Sequence, residues 1–245
     1  MTTEEYLRRH LSRMGARLKL QLDAALRVKI RINVSRDRSG EFFDIRCWPG
    51  TNPEILDVRP DWRHMVLMVR DDGNKNKFLL GRDERHWFVA ALPDDGVHDV
   101  RTAIASLRPE EIEGKIAIRQ GEWFFVPAPD LEADPKAIQR NEPLTRSAWS
   151  KPHICEQMVR QGGVVVMVCS AFPAGITEPE YHQLIESDPT HRHQGWRRMV
   201  RDAEVYVRGE VRHRDHKTLH LERWHRVYMN RERFAAHAGQ IAFLD

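Results

Sequence analysis

The stretch VYVRGEVRHRDHKTLHLERWHRVYMN, residues 205–230, indicates how the C-terminal part of the chain folds. Valine recurs at alternate positions (Val205, Val207 and Val211), and leucine alternates again at Leu219 and Leu221. Successive side chains of a strand point to opposite faces, so this alternation predicts two strands, at 203–213 and 218–230. The polar residues between them are then the tip of a hairpin.

Four histidines lie in this hairpin, at spacings of three, four and five residues. On a helix, His213, His216 and His220 would share one face. On the predicted hairpin they separate, because His213 continues the apolar face, His216 lies at the tip, and His220 lies on the face opposite the leucines. His225 belongs to the following strand. The pattern therefore predicts that the four imidazoles do not all converge.

Two of these histidines, His213 and His216, could still approach one ion, with Asp215 as a third or outer ligand. Zinc takes three or four nitrogen, oxygen or sulfur ligands, and non-haem iron takes two histidines and a carboxylate. His153 or His225 would complete the set from elsewhere in the sheet. We therefore predict one divalent transition metal, zinc or iron, bound by His213 and His216 with His153 or His225. A polar hairpin whose histidines bind no ion is the simpler interpretation.

Positive charge is concentrated in the same part of the chain. Residues 191–233 contain twelve lysines and arginines against six acidic residues, although the whole chain has a net charge of only +3. The segment THRHQGWRR, 190–198, combines guanidinium groups with imidazoles and an indole. Arginine binds phosphate in a bidentate manner, and tryptophan or histidine stacks on an unpaired base. The simpler interpretation of this cluster is a solvated face with one packed aromatic residue. The predicted nucleic-acid contacts are His191, Arg192, His193, Trp196, Arg197, Arg198, Arg212, Arg214 and Lys217.

The chain begins with a helical pattern. Thr2 and Glu5 have the spacing of a capping box, and apolar residues recur at steps of three or four from Leu7 to Ala25. A helix is therefore predicted over the first thirty residues. Its basic face could contact phosphate or dock a partner protein, although an amphipathic helix packed on a core is the simpler interpretation.

Short strands follow the predicted helix. The Asp-Gly step at 72–73 predicts a hairpin between strands 64–71 and 77–83, and a third strand at 85–92 suggests a meander. The predicted class is α+β, with an N-terminal amphipathic helix and mainly antiparallel sheets, or a barrel-like C-terminal half with short helices. Two parts are expected, 1–130 and 131–245, unless the chain forms one domain.

Several classes of protein are disfavoured by composition and by missing motifs. The chain lacks an apolar run long enough for a membrane helix, and MTTEEYLRRH lacks the apolar centre of a signal peptide. The three cysteines are far apart and form no CxxC pair, so reduced thiols and a cytoplasmic location are expected. We find no HExxH, GxSxG or phosphate-loop motif in a fitting context.

Several segments together resemble a pattern found in uncharacterised bacterial proteins. These segments are KFLLGRDERHWFVAA (77–91), RQGEWFFVPAP (119–129), KPH (151–153), VRGEVRHRDHKTL (207–219) and WHRVYMN (224–230). The resemblance implies no activity. It implies that the QGEWFFVP strand, the KPH edge and the RHRDH hairpin belong to one β unit, for which a cupin-type barrel is an architectural analogy.

The sequence is compatible with three functions. The first is an RNA-binding or single-strand-binding accessory protein or ribonucleoprotein component, whose affinity would fall steeply with salt. The second is a metal-dependent cupin-like enzyme or metal-stabilised fold using His213 and His216. The third is a scaffold that binds another protein. The basic surface favours the first, because a surface suffices for it and no converged site is needed.

Overall fold

A computed structural model describes residues 2–71, 73–93, 96–146 and 151–232 of the chain. These residues form two compact units. The first unit comprises residues 2–113 with 230–232, and the second comprises residues 114–229. Within the described ranges, no helix is long and apolar enough to cross a membrane.

The first unit combines two helices with two small sheets. Its elements are α1 (Thr3–Arg13), β1 (Leu18–Leu22), β2 (Ile30–Asp37), β3 (Gly40–Cys47), β4 (Glu54–Arg59), β5 (His64–Asp71), β6 (Asn74–Asp83), β7 (His86–Ala91) and α2 (Val100–Ser106). The first sheet has the order β1-β3-β2, with β1 parallel and β2 antiparallel to β3. The second sheet is the antiparallel meander β4-β5-β6-β7.

The N-terminal helix is shorter than the sequence predicts. The capping box of Thr2 and Glu5 is present, but the helix ends at Arg13, and Gly15 follows with a φ of 78°. Residues 18–22 form β1 instead of continuing the helix. Leu18 and Leu22 are four residues apart, a spacing that fits one face of a helix and also one face of a strand. The prediction of a thirty-residue helix was therefore wrong beyond its first three turns.

The meander β4–β7 is buried on both faces. On one face, Met65 and Leu67 join the core that also contains Leu7 and Leu11 of α1. On the other face, Val66 packs in a cluster with residues of α2. Burial on both faces explains why β5 has a continuous apolar run where a half-exposed strand would alternate.

Arg17 joins the start of β1 to the tip of the β2–β3 hairpin. Its Nη1 and Nη2 donate to the two carboxylate oxygens of Asp37 at 2.7 and 2.6 Å. These hydrogen bonds from Arg17 lower the pKa of Asp37 to about 2. Because the folded state has the lower pKa, the contribution of Asp37 to stability is present above its ordinary pKa and is lost as pH falls towards 2.

We expect Arg17→Gln to return the pKa of Asp37 towards its ordinary range, because the variant loses the charged bidentate partner. A carboxyl NMR titration of Asp37 measures this change. The control is Arg36→Gln, since Arg36 pairs with Glu41 at 3.4 Å, and it should leave the titration of Asp37 where it is. Equal titration curves in Arg17→Gln and the parent protein would contradict the assignment.

The second unit contains a six-stranded and a three-stranded sheet. Its elements are β8 (Ile118–Gln120), β9 (Trp123–Pro127), β10 (Gln139–Leu144), β11 (His153–Gln161), β12 (Val164–Cys169), β13 (Phe172–Thr177), α3 (Glu178–Ser187), β14 (Arg197–Arg201), β15 (Glu204–Arg212) and β16 (Leu219–Met229). The large sheet has the order β10-β11-β15-β16-β9-β8, and the small one has the order β13-β12-β14.

The predicted β-rich class and the predicted hairpin are confirmed. β15 and β16 pair antiparallel across the loop 213–218, and their inward residues form a core with Trp123 and Phe125 of β9. The QGEWFFVP strand, the KPH edge and the RHRDH hairpin, on β9, β11 and the β15–β16 hairpin, do lie in one sheet. Among the described residues the barrel-like form is not observed, because the strands of this sheet end at β10 on one edge and β8 on the other.

Candidate metal centre

Three imidazoles meet at one end of the large sheet. β11 lies antiparallel to β15, with Ile154 opposite Arg212, so the first residue of β11, His153, lies next to His213 at the end of β15. His216 follows in the same short loop. The ring centroids of His153 and His213 are 4.2 Å apart, and those of His213 and His216 are 4.8 Å apart. One ligand nitrogen from each ring lies within 4.8 Å of the other two.

The cluster contains buried polar atoms that lack protein partners. His153 is 1% exposed, and neither of its ring nitrogens has a hydrogen-bond partner among the described residues. The same is true of the buried Nδ1 of His216 and of Oε1 of Gln120. A buried polar atom without a partner costs about 1–3 kcal/mol. The unpartnered nitrogens of His153 and His216 therefore indicate a site that would gain from a bound group.

Burial keeps the imidazoles of His153 and His213 neutral by lowering their pKa values. Burial, followed by the neighbouring His213 and His216, lowers the pKa of His153 to about 3. Burial and His216 also lower the pKa of His213. Metal ions bind the neutral imidazole, so at neutral pH no proton has to leave His153 before an ion can bind.

A glycine turn covers the cluster. Gly121, between β8 and β9, has a φ of 57°, and a Cβ added to it would lie 3.2 Å from Nε2 of His216 and 3.9 Å from Nε2 of His153. Two ring nitrogens therefore lie close to the space that a side chain at residue 121 would occupy. The neighbouring Gln120 holds the turn to the loop, because its Nε2 donates to the backbone oxygen of Lys217 at 2.6 Å.

Two charged residues lie beside the imidazoles. The backbone N–H of Asp215 donates to Nδ1 of His213 at 3.1 Å. The carboxylate of Asp215 forms an ion pair with Lys151, two residues before His153. Acid, base and imidazoles thus come from the same two short segments of the chain.

The three histidines could hold one divalent metal ion. Zinc binds imidazole nitrogen at about 2.0–2.1 Å in a tetrahedral arrangement, which places two ligand nitrogens roughly 3.3 Å apart. The observed separations reach 4.8 Å, so the rings would rotate towards one another on binding. Three imidazoles suit zinc, and they leave a fourth position for another ligand.

The structure divides the histidines predicted from the sequence. His153, His213 and His216 come together. His225 is buried in β16, where its Nδ1 contacts the backbone oxygen of Arg223 at 2.8 Å, and it does not belong to the three-histidine group found among the described residues. His220 is exposed and lies 3.8 Å from the carboxylate of Glu210. The sequence pattern does not identify Gln120 and Gly121, because the contacts of their turn with the loop 213–218 join residues that are far apart in the chain.

The predicted nucleic-acid contacts lie in two parts of the second unit. Trp196 packs against Phe172 and Tyr181, at centroid distances of 5.5 and 5.1 Å, and its Nε1 donates to the backbone oxygen of His191. Arg198 pairs with Glu178 at 2.9 Å. The others are exposed, except the half-buried His191: Arg192, His193, Arg197, Arg212, Arg214 and Lys217. Binding of nucleic acid by this surface stays a prediction.

The fold and the site define a β-sheet protein with a three-histidine cluster at the end of an open six-stranded sheet. Comparison with protein-family models gives no match. Comparisons with curated proteins and with solved structures give no significant match either.

Proposed function

We propose that the second unit is a metal-binding domain that holds one zinc ion through His153, His213 and His216. The proposal is carried by the buried imidazole of His153, whose two nitrogens have no hydrogen-bond partner among the described residues. A buried nitrogen of this kind is costly in a protein that binds nothing at the site and is satisfied when an ion accepts its lone pair.

The positions of the three histidines in the fold support zinc binding, because the ligands come from two different segments of the second unit. His153 lies in a strand held on both sides, since β11 pairs with β10 and with β15. His213 and His216 lie in the loop that joins β15 to β16. An ion bound to all three would tie this loop to the neighbouring strand, so zinc binding would stabilise the folded state by mass action.

Metal content tests the proposal directly. Equilibrium dialysis against zinc followed by elemental analysis should give about one equivalent per chain, and the double variant His213→Ala/His216→Ala should retain little of it. His220→Ala is the matched control, because His220 belongs to the same hairpin but is exposed and lies outside the cluster. Zinc content that is absent from the parent protein, or unchanged in the double variant, would overturn the proposal.

A further inference from the structure

We propose that the carboxylate of Asp215 is the fourth ligand of this site and that Lys151 competes with the metal ion for it. The inference rests on the proposed zinc site and goes beyond it, because it assigns a fourth ligand and a residue that sets the affinity. It predicts a site whose metal affinity is limited by an ion pair within the protein.

The position of Asp215 supports its role as a ligand. Asp215 lies between His213 and His216 in the same loop, and its side chain is 21% exposed. Its carboxylate is held by Lys151, which precedes His153 by two residues, so the ion pair joins the two segments that supply the imidazoles. The carboxylate is not part of the three-histidine group found among the described residues, so Asp215 would have to leave Lys151 and change its rotamer to reach an ion bound at the rings.

A hydrogen bond from the backbone of Asp215 links this residue to metal binding by His213. Nδ1 of His213 accepts from the backbone N–H of Asp215 at 3.1 Å, and a neutral imidazole that accepts through Nδ1 carries its proton on Nε2. Neither nitrogen of His213 is then open to a metal ion. His213 can bind an ion only after Asp215 moves away from Nδ1 or the ring proton transfers to Nδ1. Either change breaks the hydrogen bond from the backbone N–H of Asp215, so metal binding by His213 is coupled to a change at Asp215.

Charge also favours the exchange. Three neutral imidazoles leave the double positive charge of a zinc ion uncompensated, whereas a carboxylate oxygen is an ordinary zinc ligand at about 2.0–2.2 Å. Lys151 is 56% exposed, so its ammonium can return to water at small cost when the pair separates. The ammonium therefore lowers affinity in two ways, by occupying Asp215 and by repelling the ion.

Zinc dissociation constants of the full chain, measured by competition with a chromophoric chelator, separate these effects. Asp215→Asn should weaken binding about tenfold or more, and Lys151→Met should tighten it several-fold. In the double variant, the gain from Lys151→Met should largely disappear, because no carboxylate remains to be released. Lys217→Met removes a lysine charge one residue from His216 and so measures the effect of charge alone.

Two outcomes would overturn the inference while leaving the zinc site in place. One is an affinity unchanged in Asp215→Asn. The other is an equal gain from Lys151→Met in both backgrounds, which would mean simple repulsion. If the parent protein binds no zinc, or if binding survives loss of the three histidines, the proposed function itself fails. Circular dichroism of each variant confirms that the fold is retained in the comparison.

Discussion

Replacing His153 by leucine should abolish the stabilisation of the protein by zinc while leaving its stability without zinc equal or higher. Without zinc, the substitution removes two buried nitrogens that have no partner among the described residues, each of which costs about 1–3 kcal/mol. With zinc, the parent protein gains about 2.7 kcal/mol at a free zinc concentration one hundred times the dissociation constant, and the variant loses this gain.

Urea unfolding with zinc and with a chelator measures both parts of this prediction. His225→Leu is the matched control, since His225 is also a buried histidine of the large sheet but belongs to no cluster of ligands among the described residues. That variant can lower the stability overall, because its Nδ1 contacts the oxygen of Arg223, yet it should keep the zinc-dependent increase. A zinc-dependent increase of the same size in His153→Leu would show that His153 is not a ligand.

The local part of the site could be predicted from the sequence, because it depends on strand alternation. The valines of β15 and the leucines of β16 determine which residues point into the core, and this places His213 and His216 at one end of a hairpin. The same alternation separates His220 from them. Such predictions succeed where one face of a strand is buried, since a shift by one residue would expose every apolar side chain.

The rest of the site depends on which distant strands pair, and local patterns do not encode this. His153 reaches His213 because β11 pairs with β15 across the intervening β12, β13, α3 and β14. Gly121 lies close to His216 although the register of β9 places its turn beside the C-terminal end of β16, so contacts other than this strand pairing bring the two together. Nothing in the spacing of KPH or RQGEW indicates these partners, so the sequence offered His153 and His225 as equal alternatives.

A substitution at Gly121 should strongly lower the affinity for zinc, because Gly121 lies next to the imidazoles that would bind the ion. We expect Gly121→Ala to weaken zinc binding by at least about tenfold, corresponding to roughly 1.4 kcal/mol or more. The added Cβ would lie 3.2 Å from Nε2 of His216 and 3.9 Å from Nε2 of His153. The methyl group would crowd both nitrogens and restrict the approach of an ion to them.

Backbone strain has to be separated from this steric effect, because Gly121 has a φ of 57° and alanine there costs about 1–2 kcal/mol of stability in any case. Gly162→Ala provides the matched control. Gly162 lies in the turn between β11 and β12 with a φ of 68°, and a Cβ there would meet no described atom within 4 Å. Both variants should lose stability in the presence of a chelator, but only Gly121→Ala should lose affinity for zinc. If the two variants bind zinc equally well, the ion does not lie between Gly121 and the imidazoles.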